Sequence, residues 1–133
     1  MNKILVAYDG GKAASKALET AATLAHAFGA SVSVVSVVPV HGIGLGVEPW
    51  DDADVHAREL TEAQTVLRAR GIEAQLLEPV GAPAQTILRI AEEGEFDTIV
   101  IGSRGLNILE RILQGSVSEH VATHAAATVI VAR

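Results

Sequence analysis

The chain reads as a single α/β domain over residues 1–133: an open, doubly wound parallel sheet of five strands with helices on both faces. Three observations predict this. Short apolar runs rich in β-branched residues alternate with longer stretches of helical periodicity. Glycine or proline stands near most of the junctions. Hydrophobic residues make up 49% of the chain but aromatics only 3%, so Ala, Val, Ile and Leu must build the core, a mixture suited to tight helix-on-sheet layers.

Each element has its own signal. Ile4 to Ala7 is a short buried strand that ends at the turn Asp9-Gly10-Gly11. Ala14, Leu18, Ala21, Ala25 and Phe28 then recur every three or four residues, which is one face of a helix, and Gly29 stands where its C-terminal cap belongs. Ser31 to Val38 is a valine-rich second strand closed by Pro39. Residues 51–70 form a charged second helix with Leu60, Ala63 and Leu67 on one face, ending at Gly71. Glu73 to Glu78 is a weaker third strand. Pro83 sits where a first helical turn tolerates it, followed by an apolar stripe of Ala84, Ile87, Leu88 and Ala91. Thr98 to Ile101 is the fourth strand, about Ser116 to Ala125 a fourth helix, and Thr128 to Ala132 a fifth strand. Pro39 to Trp50, with Gly42, Gly44 and Gly46, carries no clear element, and a loop of that length is more often functional than accidental.

Composition narrows the function. At 133 residues, folding buries roughly two-thirds of the unfolded surface, enough for a core without metal or disulfide staples. A net charge of −6 argues against nucleic acid or an anionic membrane as the main partner. Cysteine is absent, so thiol chemistry is excluded, and no apolar run reaches membrane-spanning length. The N-terminal stretch lacks the apolar region and cleavage site of a secretory signal, so a soluble cytoplasmic protein is the expectation.

The chemistry concentrates at two strand ends. Ligands of open doubly wound sheets bind beyond the carboxyl ends of the strands, where the strand order reverses. Asp9-Gly10-Gly11 stands at that end of the first strand and Gly102-Ser103-Arg104-Gly105 at that end of the fourth. If those strands are neighbours, both turns line one crevice, and glycine there lets main-chain N–H groups approach a ligand. Gly115-Ser116 opens the last helix, whose first N–H groups and dipole favour an anion. Taken singly, Gly102 and Gly105 read as turn residues and Ser116 as a helix cap. Taken together, they describe a phosphate cradle built mostly from backbone. It is not a Walker loop, because Gly11-Lys12 is followed by Ala13 and Val6 stands where the first glycine belongs. Gly42, Gly44 and Gly46 have the wrong spacing for a dinucleotide fingerprint.

Gly102, Gly105, Gly115 and Ser116 match the Gly-x2-Gly-x9-Gly-Ser/Thr pattern of nucleotide-binding universal stress proteins in every gap. The resemblance spans the chain. Asp9-Gly10-Gly11 followed by Ala17-Leu18 resembles the family's opening turn and helix, and Gly81-Ala82-Pro83-Ala84 its approach to the third helix. Asp97 through Gly105 is similar to its fourth-strand block, and Gly115 through Glu119 to its last helix start. Gly11 stands where the family usually has Ser, Ser36 where many relatives have His, and Ala127-Thr128 where Cys-Pro is common.

The resemblance implies a sheet in the order 3-2-1-4-5, which makes the first and fourth strands neighbours. It implies an adenine nucleotide (ATP, ADP or AMP) with Mg²⁺, the metal and ribose near Asp9. The main chain at Val37 would hold adenine, with Ala7 and Ile101 as walls, and Gly102, Gly105, Gly115 and Ser116 would hold the phosphates. Val117 and Ser118 would add donors. Arg104 and Arg111, cations close by in the sequence, are the candidates for neutralising charge, with a solvated surface position as the alternative for each. A homodimer through strand 128–132 is implied as well, and an apolar edge there invites such pairing.

Little points to catalysis. Hydrolysis of a phosphoanhydride needs a positioned water, and no residue stands out to hold it. His120 and His124 lie four apart on one helix face, but no His-Glu-x-x-His pattern surrounds them and they read as a solvated face. The expectation is a nucleotide-binding stress-response protein that acts through conformation and dimerisation. The rivals are a nucleotide-independent dimeric adaptor and a slow ATPase.

Overall fold

The computed structural model describes residues 1–8, 12–38, 49–102 and 124–132. The strands are β1 (Lys3–Ala7), β2 (Ser31–Val35), β3 (Gln75–Leu77), β4 (Thr98–Gly102) and β5 (Thr128–Ala132). The helices are α1 (Lys12–Phe28), α2 (Pro49–Ala69) and α3 (Pro83–Glu93). The strands form one sheet in the order β3-β2-β1-β4-β5, and every neighbouring pair is parallel.

Alternation of side chains along each strand divides the core into two layers. Ile4, Val6 and Tyr8 of β1 and its end face one side, together with Val32, Val34 and Val100. Ala14, Leu18, Ala21 and Ala25 of α1 cover that side, joined by Leu60, Ala63 and Leu67 of α2. Leu5, Ala7, Val35, Ile99 and Ile101 face the other side, under Ala84, Ile87 and Ala91 of α3. A strand buried on both faces has to be apolar at every position, which is why Ile4-Leu5-Val6-Ala7 shows no polar alternation.

Several boundaries differ from the sequence expectation, each for a local reason. α2 begins at Pro49, two residues before the expected 51, because proline is suited to the first helical position. β3 is shorter than Glu73–Glu78. Its flank at Ala74 is held by a side chain instead: Gln64 Nε2 donates to the Ala74 carbonyl at 2.8 Å, and Ala74 N–H donates to Gln64 Oε1 at 3.1 Å. The helical period puts Phe28 on the buried stripe of α1, yet it is 58% exposed. It is the last helical residue, and the chain turns away from the helix axis at Gly29, whose φ of 67° suits a residue without Cβ. The fourth helix expected over 116–125 lies outside the described residues except at its end, where His124 is helical and Ala125 is not.

Candidate functional site

The site is set by where strands stop. β1 and β4 are neighbours, with Ala7 opposite Ile101, so the crossing from the β2–β3 half of the sheet to the β4–β5 half occurs between them. That is the switch point at which open α/β sheets leave a crevice. On the other side of β1, Ala7 pairs with Val35, and Tyr8 N–H donates to the Val35 carbonyl at 2.9 Å.

The valine run predicts that β2 reaches Val38. Its regular pairing ends at Val35, because β1 has ended beside it. The chain still runs on against the β3 side: Ser36 N–H donates to the Leu77 carbonyl at 3.0 Å and Val38 N–H to the Pro79 carbonyl at 2.8 Å. Val38 and Val80 form an isolated parallel bridge. Successive peptide groups of an extended chain point to opposite sides. Since those of Ser36 and Val38 point to β3, those of Val37 point back across the end of β1.

Val37, expected to hold the base, and Ala7 and Ile101, expected as walls, are thereby brought together. Ala7, Val37 and Ile101 are buried, share the α3-side layer, and stand at or just past the carboxyl ends of three adjacent strands. Gly102 is the last residue of β4, opposite Ala132 of β5. Asp9, Arg104, Gly105, Arg111, Gly115, Ser116, Val117 and Ser118 lie outside the described residues.

One polar group near this end has no counterpart in the sequence reading. Ser36 is fully buried, and its Oγ shares a hydrogen bond with Nδ1 of His56 on α2. The same hydroxyl donates to Glu59 Oε2 at 3.5 Å, and that carboxylate oxygen is 3.5 Å from His56 Nδ1. The signal is present in two parts: a serine late in a valine run, and a His and Glu three apart on a helix.

The opposite end of the sheet is a structural clamp. Asp97, just before β4, accepts the N–H groups of Asn2 and Lys3 at 2.6 and 3.1 Å and the Thr98 hydroxyl at 2.9 Å. The Asn2 hydrogen bond is the main reason its carboxyl is held below the usual carboxylate range. Lys3 caps the Gly94 carbonyl and lies 4.7 Å above the Phe96 ring. Among the described residues no helix is long and apolar enough to cross a membrane.

The universal stress protein family model matches residues 1–133. The chain belongs to this family. A universal stress protein of Bacillus subtilis is 31% identical, the alignment covering 99% of each chain. One from Methanocaldococcus jannaschii is 32% identical over 98% of this chain and 81% of its own. Among solved structures, a universal stress protein from Archaeoglobus fulgidus superposes with a TM-score of 0.79 at 28% identity, covering 100% of this chain and 94% of that one. Another from the same organism, in complex with dAMP, gives a TM-score of 0.73 at 27% identity over 100% and 98%. This universal stress protein therefore shares its strand order and layers with relatives of which at least one holds an adenine nucleotide.

Proposed function

We propose that this universal stress protein is a cytoplasmic adenine-nucleotide-binding regulator that acts through conformation and dimerisation rather than turnover. The observation that carries the reading is the gathering of Ala7, Val37 and Ile101 on one face at the carboxyl ends of β1, β2 and β4. A nucleotide fits these residues: Ala7 is small, and the Val37 peptide is turned across the end of β1, where a base edge needs a donor and an acceptor. The dAMP-bound relative supports the same ligand class.

In this reading Val37 holds the base through its main chain, with Ala7 and Ile101 as walls. Gly102, Gly105, Gly115 and Ser116 hold the phosphates, aided by Val117 and Ser118 and by the charge of Arg104. Asp9 holds Mg²⁺, which favours carboxylate and phosphate oxygens and screens the phosphate charge. Binding of the nucleotide alters a surface that partners read.

A dimer accompanies this reading. Among the described residues β5 pairs only with β4, at one end of the strand order, and Val131 on it is 49% exposed. An apolar edge of this kind favours pairing with a second copy.

The test is mass analysis of nucleotide released from the purified protein, then titration with ATP and AMP. Gly115→Ala is expected to weaken binding, because a Cβ then stands where a phosphate approaches. If the wild-type protein ignores both nucleotides at millimolar concentration, the proposal is lost.

A further inference from the structure

Ser36 and His56 extend the site to residues outside the glycine pattern, and the role argued for them rests on the nucleotide-binding proposal. Ser36 directly precedes Val37. It comes just after the end of β2, where the β1 side of the chain is held, among the described residues, by Tyr8 N–H to the Val35 carbonyl. Beyond that point the backbone is fastened on the β3 side, through Ser36 and Val38. The Ser36 side chain supplies a second fastening, perpendicular to the sheet, to α2.

Glu59 can only accept, and the Ser36 hydroxyl is within reach of it. Where the hydroxyl proton points to Glu59, His56 donates from Nδ1; where it points to His56 Nδ1, the ring accepts, and in both arrangements Ser36 Oγ is tied to α2. The group lies largely out of solvent: Ser36 is 0% exposed and the His56 and Glu59 side chains 16% and 18%. A buried serine tethered in this way has its torsions restrained, and with them the direction of the next peptide.

We propose that Ser36 and His56 are positioning residues for base selection: their hydrogen bond holds the Val37 peptide in the orientation that recognises a 6-aminopurine. Adenine offers a donor at its 6-amino group, whereas hypoxanthine offers an acceptor there. A Val37 carbonyl held toward that position accepts from the first and repels the second. If the peptide is free to rotate, the choice between the two is lost while contact with the ring faces and phosphate remains.

The experiment measures the affinities of AMP and IMP for the wild-type protein and for Ser36→Ala, His56→Leu and His56→Asn. Wild type is expected to prefer AMP by about tenfold or more, the effect of one hydrogen bond gained or lost. Ser36→Ala and His56→Leu are expected to bring the ratio of the two affinities close to one, mainly by weakening AMP. His56→Asn, whose amide reaches the place of Nδ1, is expected to restore most of the preference. A purely structural role would weaken AMP and IMP alike and leave the ratio unchanged. Ser36→Ala removes a single oxygen, so it decides the matter if His56→Leu fails to fold. An AMP-to-IMP ratio in Ser36→Ala equal to that of wild type overturns the inference and leaves nucleotide binding intact. Absence of binding by wild type removes both.

Discussion

The Asp97 carboxylate accepts the main-chain N–H of Asn2 at 2.6 Å, closing a contact between residues 95 positions apart. It ties the start of β1 to the start of β4 at the end of the sheet away from the candidate site. The two strands whose far ends border the candidate site are thus registered from behind.

This clamp should be visible in the acid range. The Asn2 hydrogen bond, with help from Thr98 and Lys3, holds the Asp97 pKa below its unfolded value of about 3.9, against the effect of burial. The folded state therefore binds fewer protons than the unfolded state between the two values. The contribution is fully present above the unfolded pKa and is lost as pH falls through the folded one. Asp97→Asn is expected to lower stability at pH 7 by about 1 kcal/mol, a modest figure because solvent reaches the carboxylate. The gap between variant and wild type should close on acidification below pH ~4, which thermal melts across pH will show. A gap that stays constant down to pH ~2 would contradict the assignment.

Gln64 is a side chain acting as a strand neighbour. It satisfies both main-chain groups of Ala74, which is buried. Gln64→Leu keeps the volume but leaves a buried N–H and C=O without partners. The expected loss is about 2 to 4 kcal/mol in urea unfolding, larger than for most single substitutions. Gln64→Glu should recover little, since a carboxylate accepts from Ala74 N–H but cannot donate to its carbonyl.

A side chain at Gly81 would have to displace the Thr86 hydroxyl. A Cβ there would lie 2.5 Å from Thr86 Oγ1, and Thr86 is itself buried. Gly81 also donates its N–H to the Val38 carbonyl at 3.0 Å, so movement here reaches the strand end beside Val37. Gly81→Ala is expected to cost about 1 to 3 kcal/mol. Adding Thr86→Ala should relieve part of that cost, giving a favourable coupling in a double-mutant cycle. Simple additivity of the two would show that the contact is not the cause.

The β5 edge supplies a prediction about assembly. Val131→Lys places a charge on an exposed edge position without touching the core. Sedimentation equilibrium is expected to show self-association weakened by roughly tenfold or more, with the thermal midpoint of the monomer unchanged. A dimer that persists at wild-type strength would move the interface elsewhere.

Much of the fold is legible without coordinates. Buried strands and amphipathic helices carry different periodicities, so Leu18, Leu60, Leu67 and Ile87 announce their inward faces, and all are buried. Less of the site is legible as geometry. The glycines and Ser116 stand out by spacing, but spacing cannot say that Ala7, Val37 and Ile101 share a face. Strand ends are hard to read for a related reason. β2 has the composition to continue to Val38, yet regular pairing needs a partner, and β1 stops at Ala7.

By itself, then, the amino-acid order determined the alternation of elements, the two-sided apolar character of β1, and the glycine pattern that marks the family. Those are properties of neighbouring residues, set by side-chain period and backbone freedom. Only the tertiary structure decided that Ser36 meets His56, that Gln64 takes the place of a strand beside Ala74, and that the Val37 peptide turns across the end of β1. Each depends on which surfaces meet after the chain has crossed the sheet, and no local preference encodes that.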